Sequence, residues 1–321
     1  MNQENITVRH LTKYYPVTAG VIFSKTVGQV KAVDDISFSI PKGGTFGLVG
    51  ESGSGKSTTA NLMLGLEQPT AGEIIFSGKD ISQLKGKAFF EFRRNIQAVF
   101  QDPFRSLNPR KKVKQIIAEP MIVQKIGTRA ERLKRVAELM DLVGLNADRA
   151  DQYPHEFSGG QRQRIAIARA LSLSPETIIL DEPVSALDVS IQAQILNLLI
   201  DIQKNLNLTY MIISHDLAVV EHVSSHVGVM YLGKLVEFAT RDKLYSNPSH
   251  PYTQALMASV PVADPEMIRE SVLEGEVPSP MNPPPGCTFN PRCPECKPEC
   301  REKPPFGKEI SPDHWVSCHL Y

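Results

Sequence analysis

Eight consecutive residues, Gly50-Glu51-Ser52-Gly53-Ser54-Gly55-Lys56-Ser57, fit the spacing G-x-x-x-x-G-K-[ST]. An apolar strand-like run, Thr45-Phe46-Gly47-Leu48-Val49, comes before them, and a helical run over 58–66 follows. This pattern confines the segment to a strand, a tight loop and the start of a helix. Glycine lets backbone N–H groups wrap around phosphate without a Cβ in the way. The helix start adds partial positive charge. Lys56 can neutralise β- and γ-phosphate oxygens, and the Ser57 hydroxyl suits Mg²⁺. Gly50, Ser52, Gly53, Ser54, Gly55, Lys56, Ser57 and Thr58 are therefore expected to bind nucleotide.

A second site is expected 125 residues after Lys56. Thr177-Ile178-Ile179-Leu180-Asp181-Glu182 is an apolar strand that ends in two carboxylates. On a parallel sheet such strand ends line the ligand crevice. There Asp181 could reach Mg²⁺ through water, and Glu182 could polarise an attacking water. Further short apolar runs at 46–49 and 211–213 also predict buried strands. Between the strands, Leu133, Val136, Met140 and Val143 form a helical stripe that stops at Gly144. Ile191, Ile195, Leu198, Leu199, Ile202 and Leu206 form another. Strands alternating with helices predict an α/β fold with a largely parallel sheet.

Over 321 residues, 41% are hydrophobic and 22% charged, as in soluble globular chains rather than disordered or fibrous ones. Lys+Arg and Asp+Glu are both 35, which disfavours a nucleic-acid binder working through a broad basic field. No apolar run approaches the length of a membrane span. The start, Met1-Asn2-Gln3-Glu4-Asn5, lacks the layout of a secretory signal, so a cytosolic chain is expected.

Between the two sites, Ser158-Gly159-Gly160-Gln161-Arg162-Gln163-Arg164 opens a helix, offering another anion site of bare amides and a hydroxyl. Together with Gln101, Asp188 and His215 it makes the chain resemble the ATP-binding subunit of an ABC transporter. Seven motifs stand in family order over residues 6–260: Tyr15, the loop 50–57, Gln101, the signature Ser158 to Gln161, Asp181-Glu182, Ser185-Ala186-Leu187-Asp188, and His215. The resemblance implies a P-loop NTPase of the ABC type over residues 1–260, with a helical subdomain at about 100–170. It implies that Tyr15 rather than Tyr14 stacks on adenine, that Ser57, Gln101 and Asp181 serve Mg²⁺, and that Glu182, His215 and Gln101 act in hydrolysis. Ser158, Gly159, Gly160, Gln161 and Asp188 would close over the ATP of a second subunit in a head-to-tail dimer.

Gln101-Asp102-Pro103-Phe104-Arg105-Ser106-Leu107-Asn108-Pro109-Arg110, the segment 16–30 and the tail around Pro285-Gly286-Cys287 sharpen the resemblance to dipeptide and oligopeptide importer ATPases, specifically the second of two paired subunits. The implied partners are a paralogous ATPase, two permease subunits and, indirectly, an extracytoplasmic solute-binding protein, with no nucleic acid. The implied place is the cytoplasmic face of the membrane. Residues 85–114 carry nine Lys/Arg against Glu91 and Asp102, either a solvated face or one that meets permease loops and anionic headgroups. A soluble ABC-type ATPase acting on nucleic acid or ribosomes is the competing reading. It would bring a coiled-coil insertion or a second cassette, and this sequence has neither.

All five cysteines lie at or after Cys287, in a tail over 261–321. Ten of the 24 prolines fall within 278–305, which predicts a small, loop-rich region lacking a regular core and needing another fixative. Cys287, Cys293, Cys300 and Cys318 have the spacing C-x5-C-x6-C-x17-C, and Cys296 adds a C-x-x-C with Cys293. Such a set suits a [4Fe–4S] cluster or zinc, and His314 and His319 keep a mixed zinc site open. The importer resemblance implies the cluster, on Cys287, Cys293, Cys300 and Cys318.

Overall fold

The computed structural model describes residues 4–19, 25–259 and 275–321. The expected boundary at 260/261 and part of the 16–30 segment lie outside the described residues. The strands are β1 (Glu4–Ala19), β2 (Lys25–Pro41), β3 (Thr45–Val49), β4 (Ala71–Phe76), β5 (Lys79–Asp80) and β6 (Ile96–Val99). They continue with β7 (Thr177–Asp181), β8 (Thr209–Ser214), β9 (His226–Tyr231), β10 (Lys234–Thr240), β11 (Gly307–Ser311) and β12 (His314–Ser317). The α-helices are α1 (Lys56–Met63), α2 (Gly86–Asn95), α3 (Pro103–Ser106), α4 (Val113–Val123), α5 (Arg129–Leu142) and α6 (Gly159–Leu171). After these come α7 (Val189–Leu206), α8 (Leu217–Val223), α9 (Arg241–Ser246), α10 (Pro251–Ala258) and α11 (Pro298–Glu302). The chain forms two compact units.

The first unit is built on Gln83–Ile213. Its strands β6, β7 and β8 pair in parallel, with Leu180 opposite Ile212 and Asp181 opposite Ile213. Ile178, Ile179, Leu180, Met211, Ile212 and Ile213 are buried, as a parallel sheet covered on both faces requires. Asn5 staples two of these strands, its Nδ2 donating to Thr177 Oγ1 at 2.7 Å and Thr209 Oγ1 at 3.1 Å. Helix α5 starts with a capping box between Thr128 and Glu131, and the chain leaves it at Gly144, whose φ is 71°. Val136, Met140 and Val143 of its expected stripe are buried, but Leu133 lies on the solvent side. In α7, Ile195, Leu199 and Ile202 reach the core, whereas Leu206 is exposed at the last turn.

The second unit holds Ile6–Ser39, Phe46–Ser82 and Ser214–Tyr321. One sheet has the order β2-β1-β4-β5, its β1–β4 and β4–β5 pairs antiparallel, with Ile6 opposite Phe76 and Val8 opposite Ile74 on the buried face. A second ladder runs β11-β12-β10-β9-β3 and is antiparallel except for β3 with β9. Its core gathers Val49, Val227, Val229, Tyr231, Leu244, Tyr252 and Phe289.

The tail departs from the expectation of a segment without a regular core. Phe289 is fully buried, edge-on to Tyr231 with ring centroids 5.2 Å apart. Burying such a side chain contributes about 2–3 kcal/mol. Strand β12 pairs with β10, setting Val316 opposite Glu237 and burying Val316 completely. The prolines break the tail into turns but leave these two anchors free to dock.

A buried carboxylate fastens the same region. Glu237 accepts from Ser249 N at 2.8 Å and His250 N at 2.9 Å, and its Oε1 lies 2.7 Å from His314 Nε2. Three partners satisfy a charge that would otherwise be costly to bury. His314 is thus committed to Glu237, and His319 Nε2 sits 2.9 Å from the Lys303 carbonyl. The mixed zinc site that left these histidines open gains no support here: the Nε2 of each is engaged by the fold.

His250 caps α10, its Nδ1 accepting from Tyr252 N at 3.0 Å. Burial pushes its pKa from the ordinary 6.5 down to about 3. The folded state therefore holds it neutral while the unfolded chain takes up a proton below pH 6.5. Its contribution is fully present above 6.5 and is lost as pH falls toward 3, by up to about 1.4 kcal/mol per pH unit. Denaturant melts of the wild type and His250→Asn, which keeps a capping acceptor, should show a shallower acid loss between pH 6 and 4 in the variant. Parallel curves would refute the assignment.

Candidate functional site

The second unit carries Tyr15, residues 50–57 and His215. Gly55 has φ 107°, and a Cβ there would lie 2.1 Å from the Ala32 carbonyl oxygen. Gly50 meets the same limit, with the Met230 carbonyl oxygen 2.2 Å from its would-be Cβ. Both positions demand glycine, because backbone oxygen cannot move aside. Ser52, Gly53 and Ser57 form the exposed rim of the loop, while Ser54 and Lys56 are buried. Lys56 is tightly held as well: its Nζ donates to the carbonyls of Gly50 at 2.6 Å and Glu51 at 2.8 Å. Thr58 and Thr59 follow in the first turn of α1, and Thr59 N donates to Gly55 O at 2.9 Å. Such a loop presents a cation, a helix start and accessible hydroxyls to an anion.

Tyr14 and Tyr15 are both half-buried on β1. The Tyr14 hydroxyl donates to Asp34 Oδ1 at 2.5 Å. That of Tyr15 donates to Glu67, and the Lys13 ammonium lies 5.0 Å from the Tyr15 ring centroid. Burial, followed by these hydrogen bonds, pushes both phenols up to about 12, so both remain neutral in the physiological range. His215 is exposed just after β8, next to Asp216, whose Oδ1 caps α8.

Gln101, the signature, Asp181, Glu182 and Asp188 belong to the first unit. Asp181 ends β7, and Glu182 follows with φ 47°. A left-handed backbone at a glutamate is uncommon and persists only where its surroundings enforce it. Here Glu182 N donates to Ile213 O at 2.9 Å and Ser185 Oγ donates to Glu182 O at 3.2 Å. Gln101 Nε2 donates to Glu182 Oε2 at 2.5 Å, bringing together two of the three residues expected to act in hydrolysis.

Ser158 caps α6 reciprocally with Gln161: Gln161 N donates to Ser158 Oγ at 3.3 Å, and Ser158 N donates to Gln161 Oε1 at 3.1 Å. Ser158 remains exposed, and Gly159 and Gly160 lead the helix. A Cβ on Gly160 would come within 2.5 Å of Ile191 Cγ2, so α6 starts close against α7. Asp188 is exposed at the start of α7.

The five cysteines are all unpaired in disulfides. Cys287 and Cys293 pack against the core, and burial first, then neighbouring thiols, pushes each up to about 11. Among the described residues no group of three or more His, Cys, Asp or Glu could hold a metal ion. The expected C-terminal metal centre, [4Fe–4S] or zinc, thus has no support from this arrangement. The core described above supplies the fixative that the metal was expected to provide.

Glu51 is the residue the motif hid. It fills a variable position of the loop, yet its carboxylate pairs with Arg292, 241 residues on. No local pattern signals a pair at that separation.

Substituting Gly55→Ala should weaken ATP binding at least about tenfold, since positive φ and the Ala32 contact both oppose it. Titration with a fluorescent ATP analogue is the check, and wild-type affinity would contradict the geometry.

The ABC transporter family model matches residues 33–185, and the oligopeptide/dipeptide transporter C-terminal region matches 236–300. The chain is 57% identical to the oligopeptide transport ATP-binding protein AppF of Bacillus subtilis (strain 168), over 100% of this chain and 98% of AppF. It is 49% identical to the dipeptide transport ATP-binding protein DppF of Haemophilus influenzae, over 96% and 94%. Among solved structures, a dimeric ATP-binding cassette in a post-hydrolysis state with ADP and Pi aligns with TM-score 0.64 and 28% identity, over 74% of this chain and 98% of that one. CbiO1 from Clostridium perfringens aligns with TM-score 0.65 and 29% identity, over 76% and 91%. The chain belongs to the ABC transporter ATP-binding proteins, in the branch that carries the oligopeptide/dipeptide transporter C-terminal region.

Proposed function

We propose that this chain is the ATP-hydrolysing motor subunit of a peptide importer. The observation that carries the hydrolytic reading is Glu182: a carboxylate at a strand end, fixed by a left-handed backbone and by Gln101 Nε2. A base held in this way can polarise water with little reorganisation. Lys56 and the loop amides bind the triphosphate, Tyr15 supports adenine, and His215 contacts the γ-phosphate. Ser57, Gln101 and Asp181 are hard oxygen donors of the kind Mg²⁺ selects, and they would hold it. When bound, that ion offsets charge between the β- and γ-phosphates.

The signature residues Ser158, Gly159, Gly160 and Gln161, with Asp188, serve the ATP of a second subunit in head-to-tail pairing. What supports this is the exposed, capped start of α6, which offers a hydroxyl and amides outward. The second subunit is a paralogous ATPase, and the pair drives two permease subunits fed by an extracytoplasmic binding protein. Similarity to AppF and DppF over nearly the whole chain supports peptides as cargo. No described helix is long and apolar enough to cross a membrane, and the chain works as a peripheral subunit on the cytoplasmic face, bound through its permeases.

In the tail, Cys287, Cys293, Cys300 and Cys318 hold a [4Fe–4S] cluster in this reading. Its support is the sequence spacing of the four thiols, with Cys287 N donating to the Cys300 carbonyl at 2.8 Å and Cys296 N to the Cys293 carbonyl at 3.3 Å. Anaerobically purified protein should be brown and carry iron and sulfide. One zinc per chain in colourless protein would replace the cluster with zinc, and metal-free folded protein would end the metal reading.

Glu182→Gln should keep ATP affinity within about twofold and lower turnover by about a hundredfold or more. Lys56→Ala should instead weaken binding itself. Equilibrium binding and phosphate-release assays on both variants, with the partner ATPase present, test the assignment. Near-wild-type turnover by Glu182→Gln would remove Glu182 from the chemistry.

A further inference from the structure

The phosphate loop is gripped from the C-terminal tail. Arg292 donates to both carboxylate oxygens of Glu51, Nη1 to Oε2 at 2.8 Å and Nη2 to Oε1 at 3.1 Å. Two parallel charge-assisted bonds fix orientation as well as distance. The Arg292 side chain is only 5% exposed and that of Glu51 24%. Glu51 is also held through its main chain, its N–H donating to the Tyr252 hydroxyl at 2.9 Å.

This grip leads in two directions within the same unit. On the tail side, Arg292 N donates to Phe289 O at 3.0 Å, and Phe289 is buried against Tyr231 and Tyr252. The Arg292 guanidinium lies 5.9 Å from the Tyr231 ring centroid. On the loop side, the Glu51 carbonyl accepts from Lys56 Nζ at 2.8 Å and from Ser54 N at 3.2 Å. Phe289, Arg292, Glu51 and Lys56 therefore form a continuous series of contacts from the tail core to the phosphate-binding ammonium.

Charge gives the series its purpose. A carboxylate in the phosphate loop opposes a polyanionic ligand, and Arg292 cancels it. Removing the guanidinium alone would leave Glu51 uncompensated in a poorly solvated place, the costly way to break a buried pair.

We propose that Arg292 is a positioning residue for ATP, acting through Glu51 to neutralise and orient the phosphate loop, so that a folded C-terminal tail is a requirement for tight nucleotide binding. The inference rests on residues 50–57 being the triphosphate site. It assigns the tail a role in the ATPase itself, in addition to any docking role.

The test uses the full-length chain, a fluorescent ATP analogue with Mg²⁺, thermal melts and steady-state ATPase assays. Arg292→Gln should weaken affinity about tenfold and raise KM, with kcat at saturating ATP changing less than about twofold. Arg292→Lys, which keeps charge but loses the fork, should fall between. The double variant Arg292→Gln/Glu51→Gln should regain most of the affinity, because the unpaired carboxylate is gone. An Arg292→Gln protein that melts earlier yet binds ATP like the wild type would overturn the proposal, as would a double variant as weak as the single. Should Arg292→Gln fail to fold, wild-type affinity in Arg292→Lys together with no rescue in the double variant overturns it. Lys56→Ala separates the two levels: wild-type affinity there would sink the phosphate-site reading itself.

Discussion

A loop that binds phosphate with its backbone must bend where side chains cannot follow, and much of the second unit is arranged around that constraint. Gly50 and Gly55 press against the carbonyl oxygens of Met230 and Ala32, at the end of β9 and within β2. The loop is therefore shaped by strands distant in sequence as much as by its own glycines. Lys56 completes it by binding the carbonyls of Gly50 and Glu51, which holds the ammonium inside the turn. Buried charge is tolerated here because each group is matched: Lys56 by carbonyls, Glu51 by Arg292.

The same rule explains the tail. Ten prolines exclude long regular elements, but a region needs only a few well-buried anchors to adopt one shape. Phe289 enters an aromatic cluster, Val316 closes the β10–β12 ladder, and Glu237 collects Ser249, His250 and His314 around one carboxylate. With those contacts the tail joins the core of the cassette's second unit.

The hydrolytic side shows how a role can be legible while its enforcement is not. Asp181-Glu182 after an apolar run identifies a strand end with two acids. That Glu182 adopts a left-handed backbone, tied to Ile213 and faced by Gln101, depends on β8 and on the chain after β6. The helix stripes behave alike. Their period gave the helices correctly, yet Leu133 and Leu206 are exposed, because a period of 3.6 defines a face but not how far a neighbour covers it.

Sequence alone determined the parts that depend on local chemistry: the phosphate loop from its glycines, the strand ends from apolar runs closed by acids, and the α/β class from their alternation. It also determined family membership, because seven motifs in order constrain one another. Tertiary structure alone decided the partners of buried charge. Glu51 with Arg292 and Glu237 with His314 are separated by 241 and 77 residues. Neither pair has a periodicity or spacing to betray it, since a carboxylate in a sequence carries no mark of what will desolvate it. The chain fixes which groups must be paired once buried, and only the packing of strands and tail selects the group that does the pairing.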